Sequence, residues 1–201
     1  PAGAPLQLFN GKGGSWSAHL VFNHAEVLAQ LDQFSEDDAA SPLQVTLLQA
    51  IGRGERMDYA IQKAVELGVT AIQPLFTERT VVKLDGPRLQ KRMQHWRGVI
   101  AAACEQCGLN RVPELLPVLK FDTALSQSAD LKLLLAPSAK QALGQAQKPA
   151  SVALLIGPEG GLSAAEIERA KASGWLTWQL GPRVLRTETA GSAALAVLQS
   201  R

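Results

Sequence analysis

Short apolar runs recur through most of the chain and are separated by amphipathic segments. Six runs of six to eight residues predict strands, at residues 44–51, 71–76, 114–119, 131–136, 152–157 and 175–181. Because these runs are apolar at successive positions, they are typical of strands buried on both faces of a parallel sheet. Pro74 and Pro117 fall inside two of them, so we expect these two strands to be shortened or to lie near the sheet edge. The pattern predicts an α/β fold.

Between the runs, apolar residues spaced three and four apart predict helices that pack on the sheet. The first stripe contains Met57, Ile61, Ala64 and Val65, and the second contains Leu89, Met93, Trp96, Ile100 and Ala103. On the second helix, Arg88, Lys91, Arg92 and His95 share the opposite face. Such a face is either simply solvated or binds phosphate groups, and the spacing alone leaves both interpretations open.

The first 40 residues follow a different pattern. Residues 1–34 read as short strands with a glycine-rich turn at residues 10–14. Residues 35–42 are acidic and small and end at Pro42, which is the composition of a linker. We therefore predict a small β domain with its linker at residues 1–40 and an α/β domain at residues 41–201.

Composition places the 201-residue chain among soluble globular proteins, with 46% hydrophobic and 19% charged residues. No apolar run approaches the roughly 20 residues of a membrane-spanning helix. No secretory signal pattern appears, so we expect a cytoplasmic protein without a membrane partner. The net charge is only +2, but residues 79–111 contain seven basic and two acidic residues, which predicts a basic patch for an anionic partner.

Cys104 and Cys107 form a C-x-x-C pair, which raises zinc binding and thiol redox chemistry as alternatives. A structural zinc ion needs four ligands, and the three histidines at positions 19, 24 and 95 are scattered. A reactive pair is expected to open a helix, whereas this pair closes one. We therefore interpret both cysteines as structural residues of a reduced protein and expect no metal.

The segment LLIGPEGGLS, residues 154–163, carries a buried strand into a glycine-rich bend. Ser163 and Glu166 fit a capping box, which predicts a helix from Ala164 to about Gly174. In a parallel sheet such a bend lies where ligands collect. It matches neither the dinucleotide fingerprint nor the phosphate loop. Pro158 lacks an amide hydrogen and Glu159 is negative, so a nucleoside with a cationic or zwitterionic tail, such as S-adenosylmethionine, is favoured over a polyphosphate.

A second bend, LGPRVLRTETA at residues 180–190, also follows a predicted strand. It places Arg183, Arg186, Thr187, Glu188 and Thr189 within seven residues. Two such bends can hold one ligand from two sides. The small residues at 190–198 permit close approach of another helix or of a second subunit.

Four segments in this order resemble the ribosomal RNA small subunit methyltransferase E family of SPOUT methyltransferases. They are RGERMDYAIQKAVELGV, CEQCGLNRVPE, LLIGPEGGLS and LGPRVLRTETA. The resemblance implies a SPOUT-type parallel sheet with a C-terminal trefoil knot, preceded by a partial PUA-like β-barrel that binds RNA. It also implies a homodimer in the cytoplasm that uses S-adenosylmethionine to methylate N3 of a uridine in 16S rRNA of the small ribosomal subunit.

The resemblance also implies site residues, with adenine held between the backbone near Leu135, Ile156 and Leu185. The implied donor-binding residues are Leu134, Leu135, Ala136, Pro137, Ile156, Gly157, Pro158, Glu159, Gly160, Gly161, Leu180, Gly181, Val184, Leu185, Arg186, Thr187 and Thr189. The catalytic candidates are Arg111, Arg186 and Glu188, and the RNA-binding candidates are Arg88, Lys91, Arg92 and Arg111.

Two alternatives remain open at this point. A related SPOUT enzyme could act on transfer RNA or on a ribose 2′-hydroxyl, and an RNA-binding assembly factor could retain the fold without catalysis. A nicotinamide dehydrogenase is disfavoured because the dinucleotide fingerprint is missing.

Overall fold

The computed structural model describes residues 1–137, 139 and 149–200, and the chain forms two compact units. The first unit contains Pro1–Ala40 and Cys104–Val112, and the second contains Ser41–Ala103 and Pro113–Arg201. The chain therefore divides between residues 40 and 41. No local sequence pattern predicts that residues 104–112 belong to the first unit.

In the first unit, three strands form an antiparallel sheet in the order β1-β2-β3. The strands are β1 (Pro5–Leu8), β2 (Ser15–Asn23) and β3 (Glu26–Ser35). A register shift between Trp16 and Ala18 brings Trp16 opposite Phe34, and the two ring centroids are 4.6 Å apart. Side-chain packing of this cross-strand kind is a main source of sheet stability.

The glycine-rich turn between β1 and β2 contacts the returning segment of the first unit. Val112 N donates to Gly11 O at 3.0 Å, and Gly13 N donates to Asn110 O at 3.1 Å. Gly11 has a φ of +80°, and a Cβ placed there would lie 2.9 Å from Val112 Cγ2. Glycine is thus required both for the left-handed backbone and for the close approach.

The second unit is built on a parallel sheet, as the continuous apolar runs predict. Its strands are β4 (Gln44–Ala50), β5 (Ala71–Phe76), β6 (Glu114–Leu115), β7 (Leu119–Lys120), β8 (Leu131–Leu135), β9 (Ser151–Ile156) and β10 (Leu176–Trp178). The order is β10-β8-β9-β4-β5-β6, with β7 also beside β5, and each pair is parallel. Five of the six residues of β9 are buried, so the apolar run reflects burial on both faces.

The two prolines behave differently from each other. Pro117 divides the predicted strand 114–119 into β6 and β7, as expected. For Pro74 the second alternative holds, because β5 keeps all six residues but lies next to the edge strands β6 and β7. β6 pairs with β5 at Ala71 and Ile72, and β7 pairs with it at Leu75 and Phe76. Pro74 lies in the gap between these ladders, where its missing N–H leaves no hydrogen bond unmade.

The helices in the described residues are α1 (Arg56–Glu66), α2 (Gly86–Cys107), α3 (Phe121–Ala124), α4 (Ala164–Ala172) and α5 (Thr187–Gln199). The predicted stripe on α1 is confirmed as buried, and so is that on α2 except for the half-buried Leu89. The predicted capping box is confirmed, because Glu166 N donates to Ser163 Oγ and Ser163 N donates to Glu166 Oε2. Within the described ranges, no helix has the length and apolar composition needed to cross a membrane.

Candidate functional site

The ends of three neighbouring strands form the floor of a cavity in the second unit. β8 lies between β10 and β9, and Leu135 on β8 is paired with Trp178 on β10. Ala136 N continues this ladder by donating to Trp178 O at 3.0 Å. Because parallel strands end at the same edge, the loops that follow β8, β9 and β10 meet above this floor.

The cavity has a volume of about 550 Å³, which is in the usual range for small-molecule sites. Its lining combines the two predicted bends, the ends of β8 and β10, and one residue each of α1 and α4. The lining residues are Arg56, Leu135, Ala136, Pro137, Ile156, Gly157, Pro158, Glu159, Gly161, Leu162, Ile167, Trp178, Gln179, Leu180, Arg183, Val184, Leu185, Arg186, Thr187, Glu188 and Ala190. Apolar side chains and backbone therefore form most of the wall, and charged groups of both signs are present.

The glycine bend after β9 is a tight reversal of the chain. Gly161 has a φ of +66°, and its N–H donates to Pro158 O at 2.8 Å. A Cβ on Gly157 would lie 3.1 Å from Leu162 Cγ and 3.2 Å from Leu162 N. The bend thus brings its own backbone together and presents Gly157, Pro158 and Gly161 to the cavity.

The carboxylate of Glu159 joins this bend to the start of α1. Glu159 Oε1 accepts from Arg53 N at 2.9 Å and from Arg56 Nη1 at 3.0 Å. Burial alone would raise the pKa of the Glu159 carboxyl. The hydrogen bonds from Arg53 N, from its own backbone N–H and from Arg56, together with the positive charge of Arg56, outweigh burial and lower the pKa below its ordinary 4.5. The negative charge that made this bend unsuited to phosphate is therefore compensated within the protein.

Replacement of Glu159 by glutamine is expected to destabilise the second unit by less than about 1 kcal/mol at pH 7, because the ion pair is partly exposed. A lowered pKa stabilises the fold above the unfolded-state value, and this contribution is lost as the pH falls through the folded-state value. The difference in thermal unfolding between the two chains should therefore shrink between pH 7 and pH 3. A difference that stays constant over this range would contradict the assignment.

Two of the three catalytic candidates lie at the cavity. Arg186 immediately precedes α5, Glu188 is in its first turn, and both line the cavity. A carboxylate in a first turn is favoured by the helix dipole. Arg111 belongs to the first unit, where Arg111 Nε donates to Asp38 Oδ2 at 3.3 Å and the side chain is largely exposed.

Thirteen of the predicted donor-binding residues line the cavity, and the other four are not part of its lining. Leu134 is fully buried in the core, Gly160 O accepts from Arg79 Nη1 at 2.8 Å, and Gly181 and Thr189 are exposed. Arg183, which was singled out in the second bend, also lines the cavity, and the lining residues that sequence reasoning did not name are Arg56, Leu162, Ile167, Trp178, Gln179 and Ala190. Trp178 and Gln179 directly precede the second bend, so their position at a strand end was a usable signal.

The predicted basic face of α2 is mostly exposed to solvent. Arg88 and Lys91 are exposed and Arg92 is half-buried. His95 is also exposed, as expected, and its Nε2 lies 2.7 Å from Asp58 Oδ2. Asp58 Oδ1 also accepts from Trp96 Nε1 at 3.1 Å, so this carboxylate joins α1 to α2.

Cys104 and Cys107 are free thiols at the end of α2, as their position predicts. Burial raises the pKa of the Cys104 thiol to about 11, which opposes thiolate chemistry at that residue. Among residues 1–137, 139 and 149–200, no group of three His, Cys, Asp or Glu side chains is arranged to hold a metal ion.

Comparison with known proteins places residues 39–199 in the RNA methyltransferase domain family. Ribosomal RNA small subunit methyltransferase E of Buchnera aphidicola subspecies Schizaphis graminum is 40% identical over 204 residues, covering 96% of this chain and 80% of the relative. The protein of the same description from Bacillus subtilis is 33% identical, covering 83% of this chain and 69% of the relative.

Two solved structures are also similar over the whole chain. A methyltransferase of Legionella pneumophila in complex with S-adenosylmethionine has a TM-score of 0.94 and 42% identity, covering 99% of this chain and 84% of that one. A ribosomal RNA small subunit methyltransferase E of Neisseria gonorrhoeae bound to S-adenosylmethionine has a TM-score of 0.92 and 38% identity, covering 100% of this chain and 84% of that one. The similarity covers both units and the strands that carry the cavity.

Proposed function

This chain belongs to the ribosomal RNA small subunit methyltransferase E family, and we propose that it transfers a methyl group from S-adenosylmethionine to N3 of one uridine in 16S rRNA. The observation that carries the proposal is the 550 Å³ cavity in which both predicted bends meet the end of β8. The coarser activity, S-adenosylmethionine-dependent methylation of small-subunit ribosomal RNA, follows from the family. The uridine N3 position is the finer part of the proposal.

The residues of the cavity fit an adenosyl sulfonium. Leu135, Ile156 and Leu185 supply apolar surface for the flat adenine ring, and the backbone beside them supplies hydrogen-bonding groups. The tail of the ligand carries both a carboxylate and cationic groups, and the lining contains arginines as well as Glu188. Since the charge of Glu159 is already paired, that residue serves the shape of the bend rather than direct charge recognition.

When bound, S-adenosylmethionine supplies a methyl group on a good leaving group, so positioning of the acceptor provides much of the rate. The proton on N3 of uridine has to leave, and we assign its acceptance to the carboxylate of Glu188. Arg186 lies two residues before Glu188 and lines the same cavity, so its positive charge is available to the RNA backbone beside the target base. A paired base hides N3, so the target uridine must be unpaired or turned out of its helix.

Several family properties enter the proposal with the activity. We propose that the C-terminal part of the second unit forms a trefoil knot, that the first unit is part of a PUA-like RNA-binding barrel, and that the active form is a homodimer. Arg88, Lys91 and Arg92 are proposed to contact RNA phosphates together with Arg111. We also propose that the reaction takes place in the cytoplasm, where small ribosomal subunits would be the substrate.

Labelled methyl transfer to small ribosomal subunits that lack the modification tests the proposal. We expect incorporation that depends on this chain and on S-adenosylmethionine, with N3-methyluridine as the labelled nucleoside. A 2′-O-methyl product or labelled transfer RNA would replace the proposal with the related-enzyme alternative. Absence of methyl transfer together with absence of donor binding by calorimetry would support the assembly-factor alternative, because an RNA binder need not hold S-adenosylmethionine.

Replacement of Arg111 by alanine is expected to lower kcat/KM for subunits about tenfold and to leave donor binding unchanged. The side chain remains 61% exposed while it contacts Asp38, so it is available to an RNA phosphate. If this contact is lost, the slope of log(kcat/KM) against log(salt concentration) should become shallower by about one, the contribution of one phosphate contact.

Removal of Arg111 also leaves the Asp38 carboxylate without its cation. The double replacement Arg111→Ala with Asp38→Asn removes both charges and isolates the RNA contact, and Arg111→Lys retains the charge. Unchanged methylation in the double variant would reject the RNA role of Arg111.

A further inference from the structure

A buried amide lies in the sheet behind the cavity, at a position that the apolar pattern assigned to the core. Gln49 is on β4, between Ile156 of β9 and Pro74 of β5, and only 1% of it is exposed. Gln49 Nε2 donates to Thr187 Oγ1 at 3.0 Å and to Ala50 O at 3.2 Å. Within the described residues, Gln49 Oε1 is buried without a partner, which is unfavourable. An amide at this buried position therefore costs stability, and a function of its NH₂ group would explain why the position is not apolar.

The Gln49 amide controls the direction of a second hydrogen bond. Thr187 Oγ1 donates to Gly157 O at 2.6 Å. A hydroxyl group has one proton, and because Oγ1 accepts from Gln49, that proton is free for the carbonyl of Gly157. The bond to Ala50 O in turn fixes the NH₂ group of Gln49 on the side that faces Thr187. The three groups form a relay with one polarity, from Gln49 through Thr187 to Gly157.

The relay joins the two bends of the cavity from below. Gly157 begins the bend that follows β9, and Thr187 begins α5 at the end of the second bend. Both residues line the cavity, whereas Gln49 does not. A residue outside the cavity therefore connects its two walls to the centre of the sheet.

We propose that Gln49 is a positioning residue for the donor site: its amide directs the Thr187 hydroxyl onto Gly157 O and holds the two bends at the spacing that S-adenosylmethionine requires. This inference depends on the proposed function, because it takes S-adenosylmethionine as the ligand. It concerns residues that lie on three different elements, so it can be tested by binding and by unfolding as well as by activity.

Calorimetric binding of S-adenosylmethionine to Gln49→Met and Thr187→Val tests the relay directly. Methionine retains most of the glutamine volume, and valine retains the shape of threonine. We expect each variant to bind about tenfold more weakly, which corresponds to about 1.4 kcal/mol. The double variant should bind about as weakly as either single variant, because both changes break one relay. Thr187→Ser, which keeps the hydroxyl, should recover part of the affinity that Thr187→Val loses.

Gln49→Glu distinguishes the relay from simple filling of the core. An ionised carboxylate only accepts hydrogen bonds, so the Thr187 proton would turn towards it and leave Gly157 O without a donor. A neutral carboxyl can donate to Thr187 and restore the relay, and burial favours this neutral form. Donor affinity of Gln49→Glu, relative to the unaltered chain, should therefore fall as the pH rises. The same ratio for Gln49→Met should not change with pH.

Thermal unfolding without donor provides a measurement that does not depend on the function. The cycle of Gln49→Met and Thr187→Val should be non-additive in stability as well as in donor binding. If the unaltered chain binds S-adenosylmethionine and the variants bind equally well, or if their effects simply add, this inference is overturned and the proposed function stands. If the unaltered chain does not bind S-adenosylmethionine, the proposed function fails and this inference fails with it.

Discussion

Replacement of Glu188 by glutamine is expected to reduce kcat for small-subunit methylation by about a hundredfold or more, the usual contribution of a general base. The side chain is half-buried in the first turn of α5 and lines the cavity, where an acceptor for the N3 proton is needed. Glutamine has nearly the same shape but cannot accept and hold that proton. Donor binding should therefore change little, and the loss should appear in kcat.

The pH dependence of kcat separates this role from simple charge complementarity. A general base is active when it has lost its proton, so the rate of the unaltered enzyme should rise with pH on the acidic side. The glutamine variant should lack this rise and turn over slowly at every pH. Glu168→Gln is a matched control, because Glu168 is an exposed carboxylate on α4 that pairs with Lys171. A Glu188→Gln enzyme with normal kcat and a normal profile would reject the base assignment.

The sequence predicted those parts of the fold that depend on neighbouring residues. The apolar runs became parallel strands because burial on both faces selects continuous apolar residues. The Ser163 and Glu166 pair predicted the start of α4, since a capping box is formed within one turn of helix. The two bends were recognised because glycine and proline act on the local backbone.

Features that depend on distant contacts were not predicted. The backbone N–H of Arg53 and the guanidinium of Arg56 meet Glu159 across more than one hundred residues of sequence. Pro74 is tolerated in the middle of a full-length strand because β6 and β7 leave a gap opposite it, which no local pattern reveals. In the sequence, Gln49 is a polar residue in a predicted strand and Thr187 is a residue in a separate bend. Only the tertiary structure shows their hydrogen bond.

The largest expected effect on stability follows from replacing Trp175 by alanine. Trp175 is 2% exposed and packs in a core cluster with Leu125, Leu134 and Ala170. Truncation of a buried aromatic side chain costs about 3–5 kcal/mol, because the cavity it leaves is only partly filled. For a chain of this size, the midpoint of thermal unfolding of the second unit should fall by about 10 °C.

Trp175→Phe separates the packing of the ring from its hydrogen bond. Trp175 Nε1 donates to Leu125 O at 3.2 Å, and phenylalanine would leave that buried carbonyl unpaired while keeping an aromatic ring. The phenylalanine variant should therefore lose only about 1–3 kcal/mol. Circular dichroism is the suitable measurement, because fluorescence would change with the loss of the indole itself. An alanine variant that unfolds within 2 °C of the unaltered chain would contradict the importance of this core.

Trp175→Ala should also weaken donor binding, although Trp175 is outside the cavity. Trp175 N donates to Ala170 O at 3.0 Å, and the residue immediately precedes β10, whose end carries Trp178 and the second bend. Loss of the indole loosens the attachment of β10 to α4 and therefore the wall formed by residues 179–188. We expect the alanine variant to bind S-adenosylmethionine more weakly and the phenylalanine variant to bind it almost normally. Equal binding by both, measured below their unfolding temperatures, would show that β10 is held mainly by its pairing with β8.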